Sequence, residues 1–479
     1  LDEFFMVRVG SLYDQRYAGY DKLDLAGLTV QEQLDAIRSR SKKLQDKQRE
    51  LYYDVLEEAE NHGFTITSFN KLSSKEKREL SSFFAQEIYP VLTPLGIDSH
   101  RTFPLIQNKS TYLAVEVSDE DKKHLSLIQI PSILPELIEV KRDTHTAKYV
   151  YLEDLITEHL SMLFSGFSIE SVSIFRITRN ADLSVNEEDA EDLLLVIEDS
   201  IKQRKWGEVV RIEVAHGSSK KVIKDLMKAL NVCSDEIHYA DIPLDLTFCM
   251  GVEGPIGSKQ FRMASHKPKR VQSLDKKNIF DAVKAKDQFF HVPYDSFSHI
   301  EQIISEAADD EKVLAIKMTL YRVNGGSDIV KALKRAAING KQVTVLVELL
   351  ARFDEENNIE WARQLEQAGV NVIYGVFNLK THSKIFMIVR REEDGIKRYV
   401  HLGTGNYNAS TAKLYTDMSI LTAREDLGAD ASTFFNLISG YSKNPQMNRL
   451  VYAPDRLRDQ IVSLIDGEIK QAKAGHDAR

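Results

Sequence analysis

The residues best suited to chemistry lie in the segment LKTHSKIFMIVRRE, residues 379–392. His382 and Lys384 are two residues apart at the start of a predicted strand, so their side chains should project from the same face. A neutral imidazole is a nucleophile toward phosphorus, and a covalent intermediate divides one difficult displacement into two. The neighbouring ammonium would lower the pKa of the imidazole and offset charge on phosphoryl oxygens. A histidine in a strand is more often structural, so this pair alone does not define an active site.

A turn that suits phosphate binding follows His382 in HLGTGNYN, residues 401–408. Its residues 403–406 can present backbone N–H groups to an oxyanion, and Asn406 can orient a nearby histidine. An ordinary turn uses the same residue types. An H-x-K strand followed by a G-[ST]-x-N turn, however, is similar to the phosphotransfer half-site of phospholipase D-type enzymes. Those enzymes place an aspartate five residues after the lysine, where this chain has Val389, and this difference disfavours a phospholipase.

The elements that must position these residues form a predicted α/β region that begins near residue 297. Strands are predicted over 313–318, 343–349, 370–374, 384–389 and 398–402, and helices over 327–339 and 355–368. Strands that alternate with helices of about a dozen residues indicate a parallel or mixed sheet. Gly340 and Gly369 follow the two helices, where a left-handed cap is expected.

The preceding sequence predicts a helical segment and then a region of mixed structure. A helix is predicted over 29–61, where Thr29 and Glu32 match a capping box. Further predicted elements are helices over 74–87, 187–204, 220–230 and 453–474, and strands over 112–117 and 125–130. The predicted fold class is multidomain α+β and α/β. Its domains are a helical N-terminal domain (1–62), an α+β middle domain (63–270), a phospholipase D-like α/β catalytic domain (271–448) and the start of a second such domain (449–479).

Composition restricts the class of protein. The 479 residues carry 63 basic and 72 acidic side chains, a net charge of −9 that argues against a nucleic-acid partner. No apolar run approaches the roughly 18–20 residues of a transmembrane segment. The two cysteines, Cys233 and Cys249, suit a reducing compartment, so we expect a cytoplasmic protein. We also expect a homo-oligomer, a dimer or tetramer, and we leave peripheral membrane association open.

One strongly basic window interrupts this acidic chain. Residues 259–286 hold nine Lys or Arg against two Asp, a net charge of +7. Such a local field concentrates linear anions. A solvated linker face has the same composition, and both interpretations stay open.

Longer segments extend the similarity to a family. These are IKMTLYRV (316–323), VTVLVELLARFDEENNIEWA (343–362) and HLGTGNYNASTAKLYTDMSILTA (401–423), together with residues 379–392. In this order and spacing they resemble the catalytic core of the large polyphosphate kinases. The similarity also includes LDEFFMVRV, YPVLTPLGID, FRITRNADLSVNEEDAEDLL and HVPYDSF, so it covers essentially the whole chain. DSHRTFP (98–104) departs from the family, which usually has its His directly before Pro-Phe-Pro.

The resemblance implies roles for individual residues. His382 corresponds to the autophosphorylated nucleophile, and His401 to an auxiliary histidine close to it. Lys384 completes the predicted catalytic set through its charge. Tyr415 falls where the family packs or hydrogen-bonds the nucleotide, and we group Asn406 with it in the nucleotide-binding set.

Two arginines complete the predicted site. Arg322 and Arg352 match arginines that the family associates with its Mg²⁺–phosphate site. A guanidinium is always cationic and cannot be a ligand of Mg²⁺. We therefore interpret both as bidentate clamps on the phosphates that hold the metal. The alternative for each is a surface ion pair.

The resemblance implies a reaction and its partners. ATP and inorganic polyphosphate of n units would be converted reversibly to ADP and a chain of n + 1 units, with Mg²⁺ and a phosphohistidine intermediate. One alternative is a phospholipase D-like phosphodiesterase that uses the same histidine. Another is a non-catalytic polyanion- or RNA-binding module. Since the family carries a second phospholipase D-like domain after the first, we expect the chain to be part of a longer enzyme.

Overall fold

The structure is a computed structural model. It describes residues 1–97, 103–119, 122–143, 146–182, 193–204, 206–251, 263–275, 278–322, 326–349, 351, 354–376, 379–440, 442 and 445–478.

The α-helices of these residues are α1 Asp2–Phe4, α2 Gly10–Tyr17, α3 Val30–Asn61, α4 Ser74–Phe83, α5 Leu152–Glu158, α6 Leu160–Leu163, α7 Leu193–Arg204, α8 Lys220–Leu230, α9 Gln272–Asp275, α10 Ile279–Ala285, α11 Ser298–Asp309, α12 Asp328–Ile338, α13 Glu355–Gln367, α14 Glu425–Ile438 and α15 Leu457–Lys473. The strands are β1 Phe64–Ile66, β2 Pro94–Ile97, β3 Thr111–Asp119, β4 Lys122–Gln129, β5 Leu137–Arg142, β6 Ala147–Tyr151, β7 Ser168–Arg179, β8 Val209–Ala215, β9 Ile237–Ala240, β10 Gln288–Val292, β11 Val313–Leu320, β12 Gln342–Val347, β13 Asn371–Tyr374, β14 Lys384–Glu392, β15 Gly395–Gly403 and β16 Asp417–Thr422.

Contacts divide the chain into two compact units. The first is Leu1–Ser184 with Lys202–Ala264, and the second is Val185–Ile201 with Ser265–Arg479. The sequence assigned the helix over 187–204 to the middle domain, whereas most of its described part, α7, groups with the second unit. Glu198 of this helix forms an ion pair with Arg363 of α13. The bounds of the four predicted domains stay predictions.

The first unit confirms the helical and α+β parts of the predicted fold class. Helix α3 begins at the predicted cap, where Thr29 and Glu32 make both bonds of a capping box. Helix α4 has the same arrangement at Ser73, and its predicted C-terminal part continues as a π-helical turn over Phe84–Ile88. Strands β3 and β4 pair antiparallel, as their alternating patterns predicted. They belong to a six-stranded sheet of order β2-β4-β3-β7-β8-β9.

The second unit contains the predicted mixed sheet. Its seven described strands have the order β10-β16-β15-β14-β11-β12-β13. Strands β11, β12 and β13 are mutually parallel, whereas β14 runs antiparallel to both β11 and β15. Gly340 and Gly369 end the preceding helices with φ angles of 81° and 87°, as their positions predicted. No helix of the described ranges is long and apolar enough to cross a bilayer.

The register brings several strand ends together. Strand β14 lies inside the sheet, and its run Ile385 to Ile388 is buried, as expected for a strand covered on both faces. Because β14 is antiparallel to β11, it begins at the edge where β11, β12 and β13 end. Strand β15 also ends there, and β16 begins there. We call this edge the carboxyl edge. Ligands of α/β sheets bind in the crevice outside such strand ends.

Candidate active site

The carboxyl edge carries most of the predicted site residues. Arg322 lies two residues after β11, and His382 lies two residues before β14. Asn406 lies three residues after β15, and Tyr415 two residues before β16. Three segments that are distant in sequence therefore reach one edge of one sheet, because of the strand order and register.

His382 is exposed on the loop that precedes β14. Its ring and the Tyr321 ring are nearly perpendicular, with 5.4 Å between the ring centroids. Partial burial, together with the charge of Lys384, lowers the pKa of His382 below its ordinary value. The imidazole is therefore neutral at physiological pH and open to solvent, as a nucleophile must be.

Lys384, the first residue of β14, is only 6% exposed. Its ammonium donates to the backbone carbonyl of His382 at 2.5 Å and lies 5.2 Å from the centroid of the Tyr321 ring. Burial lowers the pKa of Lys384 to about 8, and the nearby Asp417 carboxylate opposes that shift. The sequence predicted an ammonium directed at phosphoryl oxygens. In the structure the ammonium bonds to the backbone of the loop that carries His382, and this contact helps to fix the loop.

His401 lies on β15, opposite Phe386 of β14, and is 3% exposed. Its ring stacks on Phe386 with 5.0 Å between centroids and 9° between planes. Its Nδ1 lies 2.9 Å from the Tyr407 hydroxyl. Burial lowers the pKa of His401 to about 3, so this imidazole is neutral and enclosed.

Asn406 and His401 line the same small cavity, together with Asp417. The Asn406 Oδ1 and His401 Nε2 atoms are both buried, and neither has a hydrogen-bond partner among the described residues. We predicted that Asn406 orients a nearby histidine. In the structure Asn406 and His401 line the same cavity, but their side chains are not hydrogen-bonded to each other.

The turn over 403–406 is packed tightly against β16. A Cβ atom at Gly405 would lie 2.7 Å from Asp417 Oδ2, and one at Gly403 would lie 3.1 Å from Ser419 Cβ. The Thr404 N–H donates to the backbone carbonyl of Met418 at 3.0 Å. The prediction that this turn offers its N–H groups to an oxyanion is therefore wrong for Thr404, and the glycines permit close packing instead.

Arg322 is 40% exposed, and its Nε lies 2.9 Å from Asp354 Oδ2, directly before α13. This contact is the ion pair that the sequence analysis kept as an alternative. A guanidinium presents five N–H groups, so such a pair on Nε is compatible with phosphate at its outer edge. Arg352, the second predicted clamp, lies outside the described residues.

Tyr415 is 63% exposed and follows Leu414, which is 80% exposed. Its backbone N–H donates to Thr411 at 2.9 Å, which fixes the turn while the ring faces solvent. An exposed ring at the carboxyl edge has the geometry needed to stack on a base.

The described residues contain no group of three or more His, Cys, Asp or Glu side chains that could hold a metal ion. The described side chains therefore do not form a coordination site that could hold Mg²⁺ without phosphate ligands. An ion carried by nucleotide phosphates, with arginines on those phosphates, requires no such site.

Comparison with known proteins agrees with this geometry. Three family models match this chain. They are the polyphosphate kinase N-terminal domain over residues 1–67, the polyphosphate kinase middle domain over residues 75–252 and the polyphosphate kinase C-terminal domain 1 over residues 278–444. A polyphosphate kinase of Halalkalibacterium halodurans is 46% identical over 99% of this chain and 69% of that protein. One of Staphylococcus epidermidis is 46% identical over 98% of this chain and 64% of that protein.

A solved structure matches the same fold. The crystal structure of polyphosphate kinase from Porphyromonas gingivalis aligns with a TM-score of 0.82 and 25% identity, over 99% of this chain and 69% of that one. The fold and the matches to known proteins together identify the chain as a kinase, an enzyme that transfers phosphoryl groups. The chain belongs to the polyphosphate kinase family, and it spans about two thirds of the length of these relatives.

Two residues of this site were missed by sequence reasoning. Glu348 follows the apolar strand β12 and is buried, so an acid at the end of an apolar run was the available signal. Tyr407 follows the GTGN turn and is also buried. Nothing in the sequence identified His401 as its partner.

Proposed function

We propose that the protein transfers the γ-phosphoryl group of ATP to inorganic polyphosphate through a phosphohistidine at His382. The observation that carries this proposal is the contrast between the two histidines. His382 is exposed at the carboxyl edge with a lowered pKa, whereas His401 is enclosed between Phe386 and Tyr407. Only His382 can be reached by a phosphoryl group without unpacking the sheet.

In the proposed reaction, His382 attacks the γ-phosphorus of ATP and ADP leaves. The terminal oxygen of polyphosphate then attacks the phosphohistidine, which releases the imidazole and lengthens the chain by one unit. Each step exchanges one phosphorus bond for another of similar energy, so the sequence of steps is reversible. Arg322 and Arg352 would bind phosphate oxygens, and Tyr415 with Asn406 would line the nucleotide site. Mg²⁺ would enter with ATP as part of the substrate.

The basic window supports a path for the polymer. Lys269 bonds through its backbone to Tyr294 and Ser296, which follow β10, and β10 ends at the carboxyl edge. Lys267 and Lys269 are exposed there. Arg270 instead donates to Ser298 and Gln302 of α11, so its guanidinium also has a structural role.

The path is tested with the double variant Lys267→Gln, Lys269→Gln. We expect a raised KM for polyphosphate with a flatter salt dependence, because fewer counterions are exchanged, and an unchanged KM for ATP. The matched control is Lys220→Gln, Lys224→Gln on α8. Equal effects on both substrates, or none on either, would identify the window as a solvated linker.

The phosphotransfer itself is tested by incubation with ATP labelled at the γ-phosphate. We expect an acid-labile, base-stable label that chases into polyphosphate, and into ATP when ADP is added. A phosphodiesterase or a binding module would take up no such label. The homo-oligomeric state, the cytoplasmic location and the peripheral membrane association stay predictions.

A further inference from the structure

Glu348 is a buried carboxylate beside the nucleophile's loop. It directly follows β12 and is 3% exposed. Its Oε2 accepts a hydrogen bond from the Thr381 backbone N–H at 2.7 Å. Thr381 immediately precedes His382. A carboxylate so far from water needs such bonds to offset its lost hydration, and bonds to an ionised acceptor are among the strong ones.

Glu348 is itself fixed by its surroundings. Its N–H donates to the Leu320 carbonyl at 3.0 Å, at the end of β11. Its carbonyl accepts from Asn358 Nδ2 of α13 at 2.9 Å, and the same amide donates to the Tyr321 carbonyl at 2.7 Å. Asn358 is 1% exposed. Two strand ends and a helix are thereby joined at the point from which the Glu348 carboxylate extends.

Two further contacts hold the backbone around His382. The Thr319 hydroxyl of β11 donates to the Ser383 carbonyl at 2.8 Å. The Lys384 ammonium donates to the His382 carbonyl. The Leu379 N–H donates to the Val376 carbonyl at 3.0 Å, earlier in the loop. Glu348 adds a contact at Thr381, directly before the histidine, and its loss would loosen the backbone there.

We infer that Glu348 is a positioning residue for His382, holding the Thr381 backbone so that the imidazole is kept in place for phosphoryl transfer. This inference rests on the proposed function, in which His382 is the nucleophile. In this inference Glu348 acts through the Thr381 backbone. Its effect comes from orientation, and misplacement of a reacting group by about 1 Å can cost about a hundredfold in rate.

Two substitutions separate the reach of this side chain from its charge. Glu348→Gln keeps the length and an acceptor oxygen but loses the charge. Glu348→Asp keeps the charge but is one methylene too short to reach Thr381. The inference predicts that phosphorylation of His382 at saturating ATP is slowed roughly 30- to 100-fold in the Asp variant and less than about tenfold in the Gln variant. The KM for ATP should change less than about threefold in both.

The titration of the His382 imidazole, followed by NMR, gives a second readout. In the Asp variant the released ring moves away from its partly buried place beside Lys384, so its pKa should rise toward the ordinary value of about 6.5. In the Gln variant the ring stays in place and a nearby negative charge is lost, so its pKa should fall or remain unchanged. A purely structural role for Glu348 would not raise the pKa of His382 in the Asp variant alone.

The matched control is Glu116→Asp, a shortened carboxylate that is 8% exposed and accepts from Ser171 and Ser219 in the first unit. Its labelling rate per folded molecule should stay within about twofold of wild type, with the folded fraction taken from thermal unfolding. A Gln variant slower than the Asp variant, equal slowing in both, or wild-type rates in both would overturn the role of Glu348. Absence of label at His382 in the wild-type enzyme would instead overturn the proposed function.

Discussion

His382 and His401 are the same residue type at two ends of one motif, and their surroundings differ in every respect that matters for reactivity. His382 precedes its strand, is exposed, and has the Tyr321 ring and the Lys384 ammonium beside it. His401 lies within a strand, is 3% exposed, and stacks on Phe386. Burial lowers the pKa of both, but only in His401 does it also exclude a phosphoryl group. Access, more than basicity, therefore distinguishes the two imidazoles, and it is the reason that we propose His382 as the nucleophile.

The largest effect is expected from replacing each of the two histidines, which tests directly how their roles differ. His382→Ala should reduce polymer synthesis by on the order of 10⁴-fold or more. Catalytic residues that act as a unit lose nearly their whole contribution when one of them is removed. His401→Ala should impair turnover while some labelling of His382 remains. Polymer synthesis and labelling are measured in both variants at equal folded concentration. Labelling of the His382→Ala enzyme at His401 would reverse the assigned roles.

Arg322 should show the next largest effect. Arg322→Lys keeps the charge but loses the planar fork that binds a phosphate. We expect a loss of about 2–4 kcal/mol in transition-state stabilisation, or roughly a thirty- to thousand-fold fall in rate. Arg352→Lys should behave alike. Asp354→Asn is the matched control, because it removes the ion-pair partner but keeps the guanidinium. Near-normal kinetics in both Lys variants would leave the arginines as surface ion pairs.

Lys384 tests whether charge sharpens the reactivity of His382. In Lys384→Met the pKa of His382 should rise, because the ammonium that favours the neutral ring is gone. The acidic limb of kcat/KM should then move to higher pH, and the alkaline limb near the Lys384 pKa of about 8 should disappear. We expect about a tenfold loss of rate near neutral pH. The pH profile from roughly pH 5 to 9 measures both limbs, and unchanged limbs would remove Lys384 from the catalytic set.

The smallest effect should come from the buried histidine's partner. Tyr407→Phe removes the hydroxyl that lies 2.9 Å from His401 Nδ1. Since a buried hydrogen bond contributes about 1 kcal/mol net, the free energy of unfolding should fall by roughly that amount. Denaturant unfolding measures it, with phosphoenzyme formation as the control. A stability unchanged by the substitution, combined with a large loss of labelling, would give His401 a direct part in catalysis.

The sequence predicted those parts of the site that local patterns define. The apolar run after His382 marks a buried strand, so its placement at a strand start followed from periodicity. Thr29 and Glu32 likewise predicted the start of α3, because a capping box involves only neighbouring residues. The mixed sheet followed from strands alternating with helices.

Contacts between distant segments could not be predicted in this way. Glu348 and Thr381 are thirty-three residues apart, and they meet because β11 pairs in parallel with β12 and antiparallel with β14. The burial of His401 depends on its position opposite Phe386, which a strand pattern does not specify. The direction of the Lys384 ammonium depends on the same packing. The local pattern placed His382 at the start of a strand, and only the tertiary structure shows which side chains surround it.

The most direct test of the account is to locate the phosphoryl group on the protein. The wild-type and His401→Ala enzymes are labelled with γ-labelled ATP, digested under alkaline conditions that preserve phosphohistidine, and sequenced by mass spectrometry. The account predicts phosphate on His382 in both enzymes, in the peptide that contains Thr381 and Ser383. Phosphate on His401, or on no histidine at all, would contradict it.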